Sequence, residues 1–473
     1  MLATAVAGAA GLATSRLLGL EAYSRLERVP VTGTQANAAG LDWVSPLAAE
    51  PAQVAHLLRR TTFGATATEL DQARSDGWAK TVDRLLETPA AQPPELTGAD
   101  AASQMSPLRL GALQQWWVDW MLASPTPFIE RMTLFWHGHF TSDYRKVGLQ
   151  TPFLYWQNRT WRGFALGDLR SILYQVTIDP GMLRYLDLAT STGRNPNENY
   201  SRELMELFTM GAGSFTEDDV RAAAKALAGW REPRTEAMVE GARRQNPNGR
   251  TPQADPVKTG VFERARAYSG PPLTFLGQTG RLDTEAVIDR ILASDATAPH
   301  IVRRILVHFA MPDPAEALVA RLAARFRATG YDVRSLMHDV FTAPEFTSDR
   351  AYRALVKSPT EFMVGTARAL GNPQLSPLIV RSGSTMGQTL FDPPSVGGWP
   401  ENESWVSSNT MLGRANFVTA AVQQTRKLPS SDRAVADVLD STLSSQTLKL
   451  FNESGGDQRR WAVVLVAPEF QLK

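Results

Sequence analysis

Arg194-Asn195-Pro196-Asn197-Glu198-Asn199-Tyr200-Ser201-Arg202-Glu203-Leu204-Met205-Glu206-Leu207-Phe208 reads as a helix whose start is written into the chain. Asn195 suits the N-cap, Pro196 the first helical position, and Glu198 the acid of a capping box. Leu204, Leu207 and Phe208 recur at helical spacing and form an inward face. Glu198, Arg202 and Glu206 fall at i, i+4 and i+8, so one arginine stands between two acids. Glu203 lies one turn from Asn199 and close to Glu206. Such a ladder is either a solvated face or the wall of a polar cleft. On the second reading Glu198, Arg202, Glu203 and Glu206 are the catalytic candidates, with Asn197 and Asn199 as substrate-binding neighbours.

The same periodicity extends in both directions. Upstream, helices are expected over 51–60, 68–86, 108–122, 151–162 and 168–178, with another starting at Pro180. A short polar loop after it places Asp187 near Asn199. Downstream, a cap at Thr216 opens a helix that turns Val220, Ala223, Ala224, Leu227 and Trp230 inward. Helical patterning resumes at Thr284 and runs through 309, then over 313–329 and 332–342. Strand-like alternation is scarce, so the fold is expected to be mostly all-α: a large multi-helix domain over 51–473 with long irregular loops and few or no strands. Within 232–272, Pro, Gly, Asn, Gln and Arg accumulate and periodicity stops. This loop or small insertion would divide sub-units 51–231 and 273–473.

Residues 1–50 read as a lead-in and linker. Residues 1–13 are small and apolar, but the first basic residue, Arg16, follows the run instead of preceding it. The run is too short and too rich in Ala and Gly to span a bilayer. It reads either as the remnant of an export signal or as a simple amphipathic lead-in; on the first reading a periplasmic or extracellular location is expected, without a transmembrane span.

Composition narrows the chemistry. The chain has 473 residues, 43% hydrophobic and 21% charged, as in a globular protein with room for more than one ordinary core. A formal net charge of +1 argues against a nucleic-acid partner. With no cysteine there is no disulfide, thiolate zinc site, iron–sulfur cluster or cysteine nucleophile. No Gly-x-Ser-x-Gly elbow occurs, and Gly211 and Gly213 lack the Lys-Ser or Lys-Thr of a phosphate loop.

Two further stretches carry chemistry. In Pro127 to Phe140, Glu130, His137 and His139 interrupt an apolar segment. On an extended backbone His137 and His139 would share a side and, with one of the acids, could hold a divalent metal such as zinc or manganese. At a helix end they are two hydrogen-bonded histidines. Residues 386–406 hold Trp399 and Trp405 among Gly and Pro beside Asn and Glu. This rigid loop could stack sugar rings, which makes both tryptophans substrate-binding candidates, or could be plugged into the core. His56, alone on a helix, is expected to be structural.

Together these blocks resemble the bacterial "domain of unknown function 1800" proteins from about residue 50 to Lys473. The resemblance rests on His56-Leu57-Leu58-Arg59-Arg60 with Phe63-Gly64, Leu134 to Phe140, Pro196 to Phe208, Phe215 to Val220, and Met386-Gly387-Gln388 with Pro393-Pro394, Gly398-Trp399-Pro400 and Asn409 to Asn416. It implies a large helical bacterial protein, often exported and commonly encoded near sulfatase-like proteins, which makes such a protein a candidate partner. It implies no reaction. The family usually carries a His-Asp pair ahead of Phe-Leu-Gly, whereas Ser269-Gly270-Pro271-Pro272 precedes Phe275-Leu276-Gly277 here. The functional expectation is a hydrolase acting on a polymer such as polysaccharide through clustered Glu and His residues. The alternative is a non-catalytic envelope binding or assembly protein in which the polar cluster is structural.

Overall fold

Apolar residues at helical spacing account for most of the chain, and the computed structural model follows them. It describes residues 44–473 except Asn248 and Thr251, and there it holds 22 α-helices and four strands of two or three residues. The expected mostly all-α fold is found. The strands form two antiparallel pairs, Trp230–Arg231 with Val261–Phe262 and Leu273–Phe275 with Gln278–Gly280. The export-signal reading falls on residues 1–43 and lies outside the described residues. Among the described residues no helix is long and apolar enough to cross a membrane.

Side-chain caps mark many of the helix starts. Thr66 with Glu69, Thr216 with Asp219 and Ser358 with Glu361 form reciprocal capping boxes. The helix Ala67–Glu87, expected to be continuous, is broken at Gly77, whose φ of 75° only glycine adopts without strain. Glu50 accepts the Trp78 backbone N–H there at 2.8 Å. The expected start at Pro196 is also corrected. The helix is Asn199–Glu206 and has no side-chain cap. Asn195 and Asn197 instead close the preceding turn: the Asn195 N–H donates to Thr192 Oγ1, and Asn197 Oδ1 accepts the Asn199 N–H at 2.9 Å. The segment 232–272 carries a helix, Glu236–Gln245, and is tied back by ion pairs from Arg231 to Asp255 and Glu263.

One hydrophobic cluster runs from Val54 to Phe470. Through it passes Pro127–His139, a helix apolar on nearly every side and buried along almost its whole length. Of the polar residues it carries, Glu130 is fully compensated. Glu130 accepts from Arg162 Nε and Nη2 at 2.6 and 2.9 Å, and from Trp117 and Trp120 Nε1 at 3.0 Å each. Removing one partner of such a pair leaves a buried charge alone. Glu130→Ala is therefore expected to lower stability by about 3–5 kcal/mol, read as a fall in the urea midpoint. A loss below about 1 kcal/mol, the worth of an exposed pair, would contradict this account of the core.

Candidate functional site

The helix Asn199–Glu206 presents its acids to solvent, each half-exposed. Arg202 pairs chiefly with Glu217, at 2.7 Å from each Nη, and approaches Glu198 only at 3.5 Å. Glu217, on the next helix, is the partner that the i, i+4 pattern could not show. Burial raises the Glu203 carboxyl, and Glu206 adds to the rise while Arg202 opposes it. Tyr185 is pushed up to about 12 by its own burial, with Asp143 and Glu203 contributing. Asp187 and Asn199 are neighbours as expected, with Asn199 Nδ2 donating to Asp187 Oδ2 at 3.0 Å and Lys146 donating to the same oxygen at 2.8 Å.

The two histidines sit on different sides of Pro127–His139, because the helix continues through both. His137 Nε2 accepts the Phe391 backbone N–H at 3.1 Å, and its ring packs on Trp117 and Trp399. Burial lowers His137 to about 3. His139 Nε2 donates to the Phe208 carbonyl at 3.0 Å. Burial, with Arg304 and His300 adding, keeps its ring well below the ordinary histidine range. Each ring thus spends a nitrogen on the backbone. Among the described residues no three His, Asp or Glu side chains are grouped to hold a metal ion.

Trp399 and Trp405 are brought together with other residues. They are almost fully buried, so the loop is no open platform. They line a small pocket of about 50 Å³, partly open to solvent, with Phe135, Arg304, His308, Glu361, Glu401 and Lys473. The elements converge for a steric reason. Gly398 has a φ of 82°, and a Cβ there would stand 2.2 Å from the Gly138 carbonyl oxygen, so the glycine at 398 lets the loop lie against the helix end. None of Glu198, Arg202, Glu203 and Glu206 lines this pocket, nor do Asn197, Asn199, His137 and His139.

The two carboxylates of the pocket differ in what they are free to do. Glu361 Oε2 accepts the Ser358 backbone N–H at 2.6 Å, while Oε1 is paired with both Arg131 and Lys473. Burial alone would raise this carboxyl, but the two cations override it and hold it well below the usual range. Glu361 is an anchored anion. Glu401 sits 3.6 Å from His308 Nδ1 and 3.6 Å from Arg304, and its Oε2 is buried without a partner. Burial raises its carboxyl; His308, Arg304 and Lys473 bring it below the usual range. Burial lowers His308 to about 4, so the imidazole is neutral at neutral pH. His308 Nε2 and Trp399 Nε1 are likewise buried and unpartnered. Buried polar atoms usually find a partner, so these three around one pocket are available to a water or a ligand there.

Sequence reasoning reached this pocket only through its tryptophans. Glu401 lies between them, and Ser358-x-x-Glu361 is a readable capping box. His308 was legible only as one of several polar residues on the amphipathic helix Thr297–Phe309, a pattern shared by many core histidines.

No curated protein and no solved structure matches the chain. A family model described as "Protein of unknown function (DUF1800)" matches residues 56–472, and the chain, whose blocks around His56, His137, Glu203 and Trp399 all fall inside that span, belongs to this family.

Proposed function

We propose that the Trp399 pocket is a hydrolytic centre in which His308 is the general base and Glu401 orients it. The observation that carries this reading is the convergence of three buried, unpartnered polar atoms, His308 Nε2, Glu401 Oε2 and Trp399 Nε1, on one pocket. The Glu401 carboxylate favours the tautomer with hydrogen on Nδ1, which leaves the Nε2 lone pair available. The 3.6 Å separation is longer than a closed hydrogen bond, as is common before a ligand enters. Water activated at Nε2 would attack an ester carbonyl carbon. Its proton passes to Nε2 and then to the leaving alkoxide oxygen as the acyl C–O bond breaks. Glu401 stabilises the imidazolium that forms between these steps. Trp399 Nε1–H is the available donor for the developing oxyanion.

The chemistry of the acids favours acyl over glycosidic cleavage. A glycosidase needs one carboxyl raised to serve as general acid, and both Glu361 and Glu401 are lowered. A polymer such as polysaccharide remains the proposed carrier, presenting a small ester group to the pocket. The test is a screen of esters, amides and glycosides with the purified full chain. Ester turnover is expected, and turnover of glycosides alone would overturn the assignment. Export is part of the same proposal. Fractionation of cells making the full chain is expected to place it outside the cytoplasm, and wholly cytoplasmic protein would contradict that.

The alternative of a binding or assembly protein draws on one observation. The Glu361–Arg131–Lys473 group is mutually paired and ties three distant parts of the chain together. That is what a network serving the fold alone would do.

A further inference from the structure

Beside Glu361, cationic donors outnumber the acceptors available to them. Both oxygens of Glu361 are already used, by the Ser358 N–H and by Arg131 and Lys473. Arg131 is completely buried between the rings of Phe63 and Phe309, 5.5 and 5.7 Å away, and its Nε and Nη2 make no hydrogen bond. Arg60 is also completely buried, gives Nη2 to the Ala351 carbonyl, and leaves Nε and Nη1 without an acceptor. Two more cations line the pocket itself: Lys473, and Arg304, which approaches Glu401 at 3.6 Å. Guanidinium groups held away from water without acceptors cost several kcal/mol, and the field they create falls on the adjoining pocket.

We propose that the pocket takes a ligand bearing an oxyanion, a carboxylate, sulfate or phosphate group, held between Arg304 and Lys473. This rests on the pocket being the reaction centre and deepens that reading: the ester cleaved belongs to an anionic substrate. The buried Arg60 and Arg131 supply the field, and Arg304 and Lys473 supply the contacts. The side chains acting on Lys473 are Glu361, Arg131, Arg60, His308 and Glu401, three of them cationic or able to become so. Burial lowers Lys473 to about 7, with Glu361 opposing and Arg131 and Arg60 adding. A bound oxyanion favours the protonated amine, so affinity is expected to fall as pH rises through 7.

The experiment is calorimetric titration of the full chain with inorganic sulfate, inorganic phosphate and acetate in turn, at ionic strength matched with sodium chloride. The three arms separate the sources of the oxyanion. Saturable binding of at least one of them is expected, weakened tenfold or more in both Arg304→Gln and Lys473→Met. Should Lys473→Met fail to fold, Arg304→Gln decides, because Arg304 is partly exposed and outside the buried network. Glu401→Gln removes a like charge, so it is expected to bind the oxyanion at least as tightly while losing ester turnover. That opposition keeps failure of the binding proposal distinct from failure of the hydrolytic one. No saturable binding, equal binding in Arg304→Gln, or weakened binding in Glu401→Gln overturns the proposal.

Discussion

Between pH 6.5 and pH 4 the protein is expected to lose stability as pH falls, at up to about 1.4 kcal/mol per pH unit for each histidine that the fold keeps neutral. The cause is histidine burial. Of the six histidines, His56, His137, His139, His300 and His308 are all lowered, with desolvation as the first cause in each. A lowered folded-state pKa means that the unfolded chain binds more protons below about 6.5, so stability is intact above that value and drains as pH falls. Each such group contributes about 1.4 kcal/mol per unit until its own folded pKa is reached. For His308 that is about 4, and for His137 about 3. Asp179 works in the opposite direction, since burial raises it to about 7 and the folded state then binds the extra proton. Burial also raises Glu203 and Asp392, so three carboxyls oppose five histidines and the loss on acidification is reduced but not reversed. Urea midpoints at pH 7, 6 and 5 check the slope, and a flat profile would show that the imidazoles reach water.

His308→Ala is expected to lower ester turnover by about 10²–10⁴, the usual range for loss of a general base. Glu401→Gln should act in the same direction by a smaller factor, because it removes the orienting charge and leaves the base in place. The thermal midpoint is the control. Loss of turnover without loss of midpoint marks chemistry, and parallel loss marks packing.

The fold was legible in the chain because helices announce themselves locally. Thr216 with Asp219 could be read as a cap, and Val220, Ala223 and Leu227 as an inward face, because both signals lie within one element. The errors came where local chemistry offered two outcomes. Asn195-Pro196-Asn197 can open a helix or close a turn, and hydrogen bonds to Thr192 and Asn199 selected the turn. Gly77 broke a helix whose apolar period continued across it.

The site was harder to read, for a reason of distance. Arg131 and Glu361 are 230 residues apart and Glu361 and Lys473 are 112 apart, so no spacing rule could pair them. The helix Asn199–Glu206 stood out because its charges are close in sequence, but its arginine is spent on Glu217. It keeps one feature of a reactive acid, the raised carboxyl of Glu203.

The two centres therefore compete, and one comparison decides between them. Turnover of the best ester found in the screen is measured for the unaltered protein, for His308→Ala and for Glu203→Gln, each checked for an unchanged thermal midpoint. The pocket account predicts that His308→Ala loses turnover by at least 10² while Glu203→Gln stays within about twofold. Turnover that survives His308→Ala and disappears with Glu203→Gln would contradict it and return the chemistry to the helix at Asn199–Glu206.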